Sequence, residues 1–263
     1  QDKINIGRSI LEIKDNEHNI PLFYAIKFYN LPSLKIILKY TNNFYIKNNN
    51  GENALHLAIK SQNLEIFKLI LENINDFKSR NNIGESYLHL IIKCKCYDML
   101  ELLIKRFLKE ENFIISLNYS DYKYNFTILH YICIELDYEC LRILNNYDLI
   151  KYLDGNIQDN SGNIFYHYFI NNIIGLKKIN IDIINNINEM NDIFKKINFN
   201  INIYNIDGNI PAHIFFSNIN FFSTNKLNFL INWISETSNM NIQNFDGESI
   251  FYIIIKNNYW LEI

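Results

Sequence analysis

Five of the six histidines in this chain stand at the same point of a recurring sequence unit. Each follows a turn segment with Gly or Asn three to five residues earlier, and each stands near the start of a segment with helically spaced apolar residues. The steps between successive histidines are 33, 41, 37 and 46 residues. A period of ~20–50 residues is typical of arrays of stacked structural units. The five are His56, His89, His130, His167 and His213.

Two further copies of the unit lie outside the histidine series. Phe23 takes the histidine position 33 residues before His56, and Tyr252 takes it 39 residues after His213. The chain is therefore predicted to hold about seven copies within a single domain, 1–263. Their predicted ranges are 15–47, 48–80, 81–121, 122–158, 159–204, 205–243 and a partial copy at 244–263.

The clearest copy, 48–80, reads NNNGENALHLAI, then KSQN, then LEIFKLILE. It resembles the ankyrin repeat, with its turn, its T-P-L-H-x-A helix start and its second helix. The resemblance covers roughly 15–258 and is strongest in the second and third copies. It implies an all-α, ankyrin-repeat solenoid of helix-turn-helix units with short β-turn or hairpin projections. It also implies that the repeated histidine caps the helix and ties the turn through hydrogen bonds between side chain and backbone.

The spacing of apolar residues supports the same architecture independently. Leu55, Ala58 and Ile59 form one helical stripe, and Phe67 and Leu71 belong to a second. A single short helix cannot bury its stripe alone, so several copies must stack to make a continuous core.

Composition points to the source and to one irregular region. The chain has 50 Ile and 45 Asn, but only 4 Ala and no Val. Ile and Asn have AT-rich codons, so we expect an AT-rich genome such as that of a large DNA virus or a protist. Asn supplies turn and cap chemistry. The Asn-rich stretch 171–205 is predicted to hold a poorly ordered insertion.

Charge, hydropathy and motifs argue against several function classes. A formal net charge of −3 gives no electrostatic case for nucleic acid, and no apolar run reaches the ~18 residues that a membrane span needs. No nucleophile, phosphate-loop or dinucleotide signature is present, so we predict no catalytic residue, no cofactor and no enzyme activity. The spacing of Cys94, Cys96, Cys133 and Cys140 does not match a zinc knuckle, and we predict buried free thiols and no metal.

The context of the chain is expected to be intracellular. We predict a cytoplasmic protein, in the host cytoplasm if the source is viral. Because the chain starts at Gln1 and ends soon after the first helix of its last copy, we expect it to be part of a longer polypeptide.

The resemblance implies a non-enzymatic scaffold that binds another protein, of unknown identity. In ankyrin repeats the turn tips and the exposed side of the first helix form a concave binding surface. The apolar tips matter most, because aromatic and aliphatic anchors dominate interface energies. The candidate partner-binding residues are Asn49, Asn50, Glu52, Lys60, Asn82, Ile83, Glu85, Lys93, Lys123, Tyr124, Phe126, Asn160, Ser161, Ile206, Asp207, Phe245 and Asp246, with Ile83, Tyr124, Phe126, Ile206 and Phe245 expected to be exposed.

Three alternatives stay open at this level. The chain is a candidate substrate-recruiting module of a larger enzyme or a ubiquitin-ligase adaptor. It is also a candidate structural component of a virion or cytoskeletal assembly. A metal-dependent role through the cysteines is the third, and stoichiometric zinc in purified protein would favour it.

Overall fold

The computed structural model describes residues 10–75, 77–176, 180–218, 232, 234 and 236–257. The chain forms two compact units, Gln1–Lys123 and Tyr124–Ile263. In both units the described residues form short helices joined by tight turns, and their only β-pairing is two isolated bridges. The all-α prediction is confirmed, whereas the predicted copy boundaries and the single domain stay predictions.

Seven helices make up the described part of the first unit. They alternate between the first and second helix of a copy, and the third copy adds one short helix. In chain order they are α1 (Pro21–Lys27), α2 (Leu31–Leu38), α3 (Ala54–Lys60), α4 (Leu64–Leu71), α5 (Tyr87–Lys93), α6 (Tyr97–Phe107) and α7 (Glu111–Ser116).

The described residues of the second unit form the α-helices α8 (Ile128–Ile134), α9 (Tyr138–Asn146), α10 (Phe165–Ile174), α11 (Ile181–Phe194), α12 (Pro211–Ser217) and α13 (Ile250–Lys256), and a 3₁₀ turn covers Ile150–Tyr152. In the second unit the same alternation runs from α8 to α11, and α12 and α13 are both first helices of their copies.

Four of the five second helices named above, all but α6, start at a side-chain cap, and three of these caps are Asn residues. Asn63 Oδ1 accepts from Ile66 N at 3.0 Å at the start of α4. Asn30 and Asn180 cap α2 and α11 in the same way. Such a cap satisfies one of the free N–H groups of the first turn and contributes about 1 kcal/mol.

The core of each unit lies where first helices stack on one another. In the first unit α3 packs between α1 and α5, and in the second α10 packs between α8 and α12, with α13 on α12. Leu55, Ala58 and Ile59 on α3 are fully buried. The apolar stripe read from the sequence is therefore the contact surface between copies.

The Asn-rich stretch is not the irregular insertion that its composition predicts. Its main element is α11, a 14-residue helix that packs on α9. Ile187, Met190 and Phe194 share the buried side of the helix, at helical spacing.

Asn185 and Asn186 lie on the exposed side and Asn180 caps the helix, while the buried Asn191 accepts a hydrogen bond from the Tyr166 hydroxyl at 2.7 Å. A high Asn content is therefore compatible with a regular amphipathic helix. Residues 177–179 lie outside the described part.

The extension after the second helix of the third copy is also regular. It forms α7, whose Phe113 is fully buried. The Phe113 ring lies 5.6 Å from the ring of Phe77, and Phe77 also contacts Phe107. The added segment thus extends the core of the first unit.

Candidate interaction surface

Each tight turn is held together by the side chain of its own first residue. In the turn 81–85, Asn81 Oδ1 accepts from Ile83 N at 3.2 Å and from Glu85 N at 2.9 Å. Asn81 N donates to Glu85 O at 3.0 Å. Gly84 has φ +82, and a Cβ there would lie 2.5 Å from Tyr122 N, so only glycine fits. The turns that begin at residues 15, 48, 159, 205 and 244 repeat the two side-chain bonds.

Neighbouring turns are joined by backbone hydrogen bonds within each unit. In the first unit Asn82 N donates to Asn50 O at 2.9 Å, and Tyr122 N to Ile83 O at 2.8 Å. In the second unit Ile206 N donates to Ser161 O at 2.9 Å. The backbone of the tips is therefore satisfied internally, and the tip side chains are left to project.

In the second unit the repeated histidines bind backbone groups through both ring nitrogens. His167 Nδ1 accepts from Ile164 N at 3.1 Å, and Nε2 lies 3.0 Å from Asn209 O in the next copy. His130 makes the same pair of contacts, to Thr127 N and to Asn163 O. A neutral ring with its proton on Nε2 satisfies both contacts. The predicted capping role is confirmed, with an added tie to the following copy.

Burial keeps these rings neutral. Desolvation lowers the pKa of His56 to about 3 and the pKa of His167 to about 4. The pKa of His213 is lowered for the same reason. Rings that are buried and neutral, with nitrogens turned to the backbone, serve the architecture of the turn rather than proton transfer to a ligand.

The sequence predicts that Glu52 and Glu85 project from the turn tips, but the structure buries both side chains. Each is only 3% exposed. Glu85 accepts from Asn81 Nδ2 at 2.7 Å and from Lys93 Nζ at 2.5 Å. Glu52 binds Asn48 and Lys60 in the same arrangement. Lys60 and Lys93 are exposed, but their ammonium groups are engaged with these carboxylates.

The physical reason is the position of these glutamates in the turn. Each directly follows the residue with positive φ, where the chain folds back over its own first helix. The lysine eight residues later lies at the end of that helix. Glu248 and Lys256 form the same ion pair in the last copy, with Lys256 Nζ 2.7 Å from Glu248 Oε1. There the Glu248 side chain is 26% exposed.

Replacing Glu85 should therefore affect stability rather than binding. We expect Glu85→Ala to lower the unfolding free energy by about 1.5–3 kcal/mol, because a buried amide and an ammonium both lose a charged acceptor. Glu248→Ala is the matched control, with an expected loss of about 0–1 kcal/mol for a more exposed pair. Urea titration followed by circular dichroism measures both. Equal losses in the two variants would contradict the structural role assigned to Glu85.

Four of the five apolar tip residues are exposed as predicted. Ile83 is 47% exposed, Tyr124 45%, Ile206 63% and Phe245 74%. Phe126 is half-buried instead.

Phe126 takes the turn position that Glu85 holds, because Asn125 supplies the positive φ. Its ring lies 5.1 Å from that of Tyr124, 5.5 Å from His130 and 5.3 Å from Tyr168. It therefore supports the turn from the side of the first helix.

The polar tip residues are mostly exposed. Two of them also join neighbouring turns, since Asn82 Nδ2 donates to Asn49 O at 2.7 Å and Asn49 Nδ2 donates to Asn16 O at 3.2 Å. Ser161 is half-buried. The exposed polar candidates are Asn49, Asn50, Asn82, Lys123, Asn160, Asp207 and Asp246.

Sequence reasoning missed Tyr122, which is 65% exposed. It holds the same turn position as Asn82, and the Arg80 guanidinium lies 4.5 Å from its ring centre. The turn that starts at Asp121 is one residue longer than the others. Counting forward from Asp121, rather than back from His130, would have placed Tyr122 at the tip.

A cavity near the first two turns was also missed. It has a volume of about 330 Å³ and lies between the tips and first helices of the first two copies. Lys27, Tyr29, Asn50 and Lys60 are among its lining residues. Lys27 holds the same position in its copy as Lys60, and this spacing could have indicated from the sequence that Lys27 belongs to the same surface.

The cysteines divide into two pairs. Cys133 and Cys140 are fully buried, and burial raises the pKa of both thiols, as expected for free core cysteines. Cys94 and Cys96 are half-buried, less than predicted. In the part of the chain that the structure describes, no group of three or more His, Cys, Asp or Glu residues is placed to hold a metal ion. None of the described helices has both the length and the apolar character to cross a bilayer.

Comparison with known proteins identifies the repeat. A family model that describes three ankyrin repeats matches residues 4–81 and 22–113. No curated protein matches the chain. The crystal structure of the ankyrin repeat domain of Bcl-3, described as a unique member of the IkappaB protein family, is similar, with a TM-score of 0.60 and 18% identity. The match covers 81% of this chain and 86% of that one. Residues 4–113 therefore carry ankyrin repeats, and the chain has the ankyrin-repeat solenoid fold.

Proposed function

We propose that the chain is a non-enzymatic scaffold that binds a partner protein through its turn tips and the adjoining ends of its first helices. The observation that carries this proposal is the exposure of large apolar tip residues whose turns are already satisfied by backbone and Asx hydrogen bonds. Phe245, for example, is 74% exposed. Burying such a side chain against a partner contributes about 1.5–3 kcal/mol.

Each compact unit offers its own set of anchors. In the first unit Ile83 and Tyr122 project from neighbouring turns, flanked by Asn82 and Lys123. In the second unit Tyr124, Ile206 and Phe245 are the apolar tips. A rigid backbone with exposed aromatic side chains suits recognition, because little conformational entropy is lost on binding.

The fold and the composition support only the class of the partner, which is another protein. The ankyrin-repeat fold is typical of modules that bind other proteins. The Ile- and Asn-rich composition supports an AT-rich source, such as a large DNA virus or a protist, and a host or virion protein as the partner in the cytoplasm. The tip residues present no concentration of positive charge that would favour nucleic acid.

Affinity capture tests the proposal. We expect the native chain to retain a partner from a lysate of the source cells, and a variant with Tyr122→Ala, Tyr124→Ala and Phe245→Ala to lose it. The three side chains are exposed, so the helical content should not change. A matched variant with Ile115→Ala and Tyr152→Ala removes side chains that are 50% and 43% exposed away from the tips, and it should keep the partner. Equal capture by the tip variant, or loss in the matched variant, would place the interface elsewhere.

A further inference from the structure

An ion pair between a turn and the end of its first helix recurs in the second and third copies. Glu52 pairs with Lys60, and Glu85 pairs with Lys93. The lysine side chains are 45% and 42% exposed, whereas both glutamate side chains are 4% exposed. Both members of each pair belong to one copy, so the carboxylate balances the ammonium charge without help from the copies before or after it.

The first copy keeps the lysine of this pair but not the glutamate. Lys27 ends α1 in the position that Lys60 holds on α3. Asn19 takes the place of Glu52, and its amide donates instead to Glu17 Oε2 at 3.1 Å. In the part of the first unit that the structure describes, Lys27 is exposed and no carboxylate forms an ion pair with its ammonium group. The first copy therefore presents a positive charge that the next two copies neutralise.

This lysine lines the cavity between the first two copies. The cavity has a volume of about 330 Å³, and ligand pockets in proteins start at about 300 Å³. Phe23 and Leu57 contribute apolar surface to its lining, and Asn50 lines it from the tip of the second turn. The cavity therefore combines room for a side chain, apolar surface for its methylene groups and the ammonium group of Lys27.

Two carboxylates also line the cavity, and neither forms an ion pair with Lys27. The Glu52 carboxylate is engaged by the Lys60 ammonium group. Glu17 is exposed at the first tip, where its carboxylate accepts from the Asn19 amide. The negative charge of Glu17 opposes an acidic ligand, so its removal should strengthen the binding of such a ligand.

The corresponding positions of the second unit do not offer the same group. The residues there are Ile134, Asn171 and Ser217, and in the last copy Lys256 pairs with Glu248 at 2.7 Å. Among the copies that the structure describes, the first is thus set apart by a lysine at the helix end without its carboxylate.

We propose that this cavity binds an acidic side chain, Asp or Glu, of the partner protein, whose carboxylate pairs with the Lys27 ammonium group. The inference rests on the scaffold function proposed above and specifies the chemistry of the partner. The partner's carboxylate takes the role that Glu52 has towards Lys60 one copy later. A single uncompensated ammonium group suits one carboxylate rather than the many phosphates of a nucleic acid.

Selection of random dodecapeptides displayed on phage, against the immobilised native chain, tests this inference. We expect the enriched peptides to share an Asp or Glu. One of them, synthesised with a fluorescent label, is then the probe in anisotropy titrations. Replacing its acidic residue by the corresponding amide should weaken binding about tenfold or more, because a charge-assisted hydrogen bond in a partly enclosed site is lost.

Variants of the chain locate the carboxylate. Lys27→Gln should weaken the probe to the same extent, and it should no longer distinguish the acidic peptide from its amide version. Asn19→Glu should also weaken the probe, because the new carboxylate pairs with Lys27 within the copy, whereas Glu17→Gln should strengthen it. Lys68→Gln is the matched control, at an exposed lysine of α4, and should bind as the native chain does. None of the replaced side chains is buried, so circular dichroism should not change.

The outcomes separate this inference from the scaffold function. A selection that enriches no peptide, or peptides without a shared acidic residue, would overturn the inference. A probe that binds Lys27→Gln or Asn19→Glu as tightly as the native chain would overturn it as well. The scaffold function has its own test in the lysate capture, where loss of the partner from the tip variant supports it whatever the peptide selection gives.

Discussion

Lowering the pH from 7 to 5 should cost each compact unit about 2 kcal/mol of unfolding free energy. The loss comes from His56 in the first unit and His167 in the second, whose pKa values are lowered to about 3 and about 4 by burial. The pKa of a histidine in the unfolded chain is about 6.5. Above that value the ring is neutral in both states, and its contribution to stability is fully present. Below it the unfolded chain binds a proton that the native state does not, so about 1.4 kcal/mol is lost per pH unit and per ring.

Urea titrations at pH 7, 6 and 5 measure this loss. His167→Gln should remove about 2 kcal/mol of the pH dependence of the second unit, although the variant is less stable at pH 7. His18 lies exposed in a turn with φ 60, and His18→Asn serves as the control, since Asn tolerates that backbone conformation. Stability that does not change between pH 7 and pH 5 would contradict the neutral, buried state of the repeated histidines.

Phe194→Ala should lower the unfolding free energy of the second unit by about 3–5 kcal/mol, the usual cost of removing a buried phenyl ring. Phe194 is fully buried at the end of α11. Its ring lies 5.0 Å from those of Phe165 and Phe169, both on α10. The substitution leaves a cavity between the two helices of one copy, which rigid neighbours fill only in part.

Ile181→Ala is the matched control on the same helix. Ile181 is 66% exposed, and its truncation should change stability by no more than about 0.5 kcal/mol. Thermal and urea unfolding of the two variants decide the role of the Asn-rich stretch. If Phe194→Ala were as mild as Ile181→Ala, α11 would not be part of the core of the second unit.

The fold was predictable because its signals are local. The Asx residue that opens each turn binds backbone groups two and four residues ahead, and the histidine binds a backbone group three residues back. Such contacts depend only on spacing along the chain, so a repeat of residue types is enough to reveal them. The same spacing identified the apolar tips Ile206 and Phe245.

The candidate surface was predictable only in part. Glu85 and Phe126 have the residue types and positions of tip residues, yet both fold back towards the first helix. Whether a side chain after the positive-φ residue projects or folds back depends on what the first helix offers it, such as the Lys93 ammonium or the His130 ring.

The turns, the histidine caps and the helical stripes follow from sequence patterns alone, since each rests on interactions within a few residues, and their repetition indicates the ankyrin-repeat architecture. The burial of Glu52 and Glu85, and the packed helix in the Asn-rich stretch, depend on tertiary contacts that sequence patterns do not reveal. Burial depends on the neighbouring copy as much as on the residue itself, and adjacent copies meet through contacts between residues 33 to 42 apart in the chain. Solvent exclusion between copies, which stabilises the stack, therefore also sets which side chains remain free to bind.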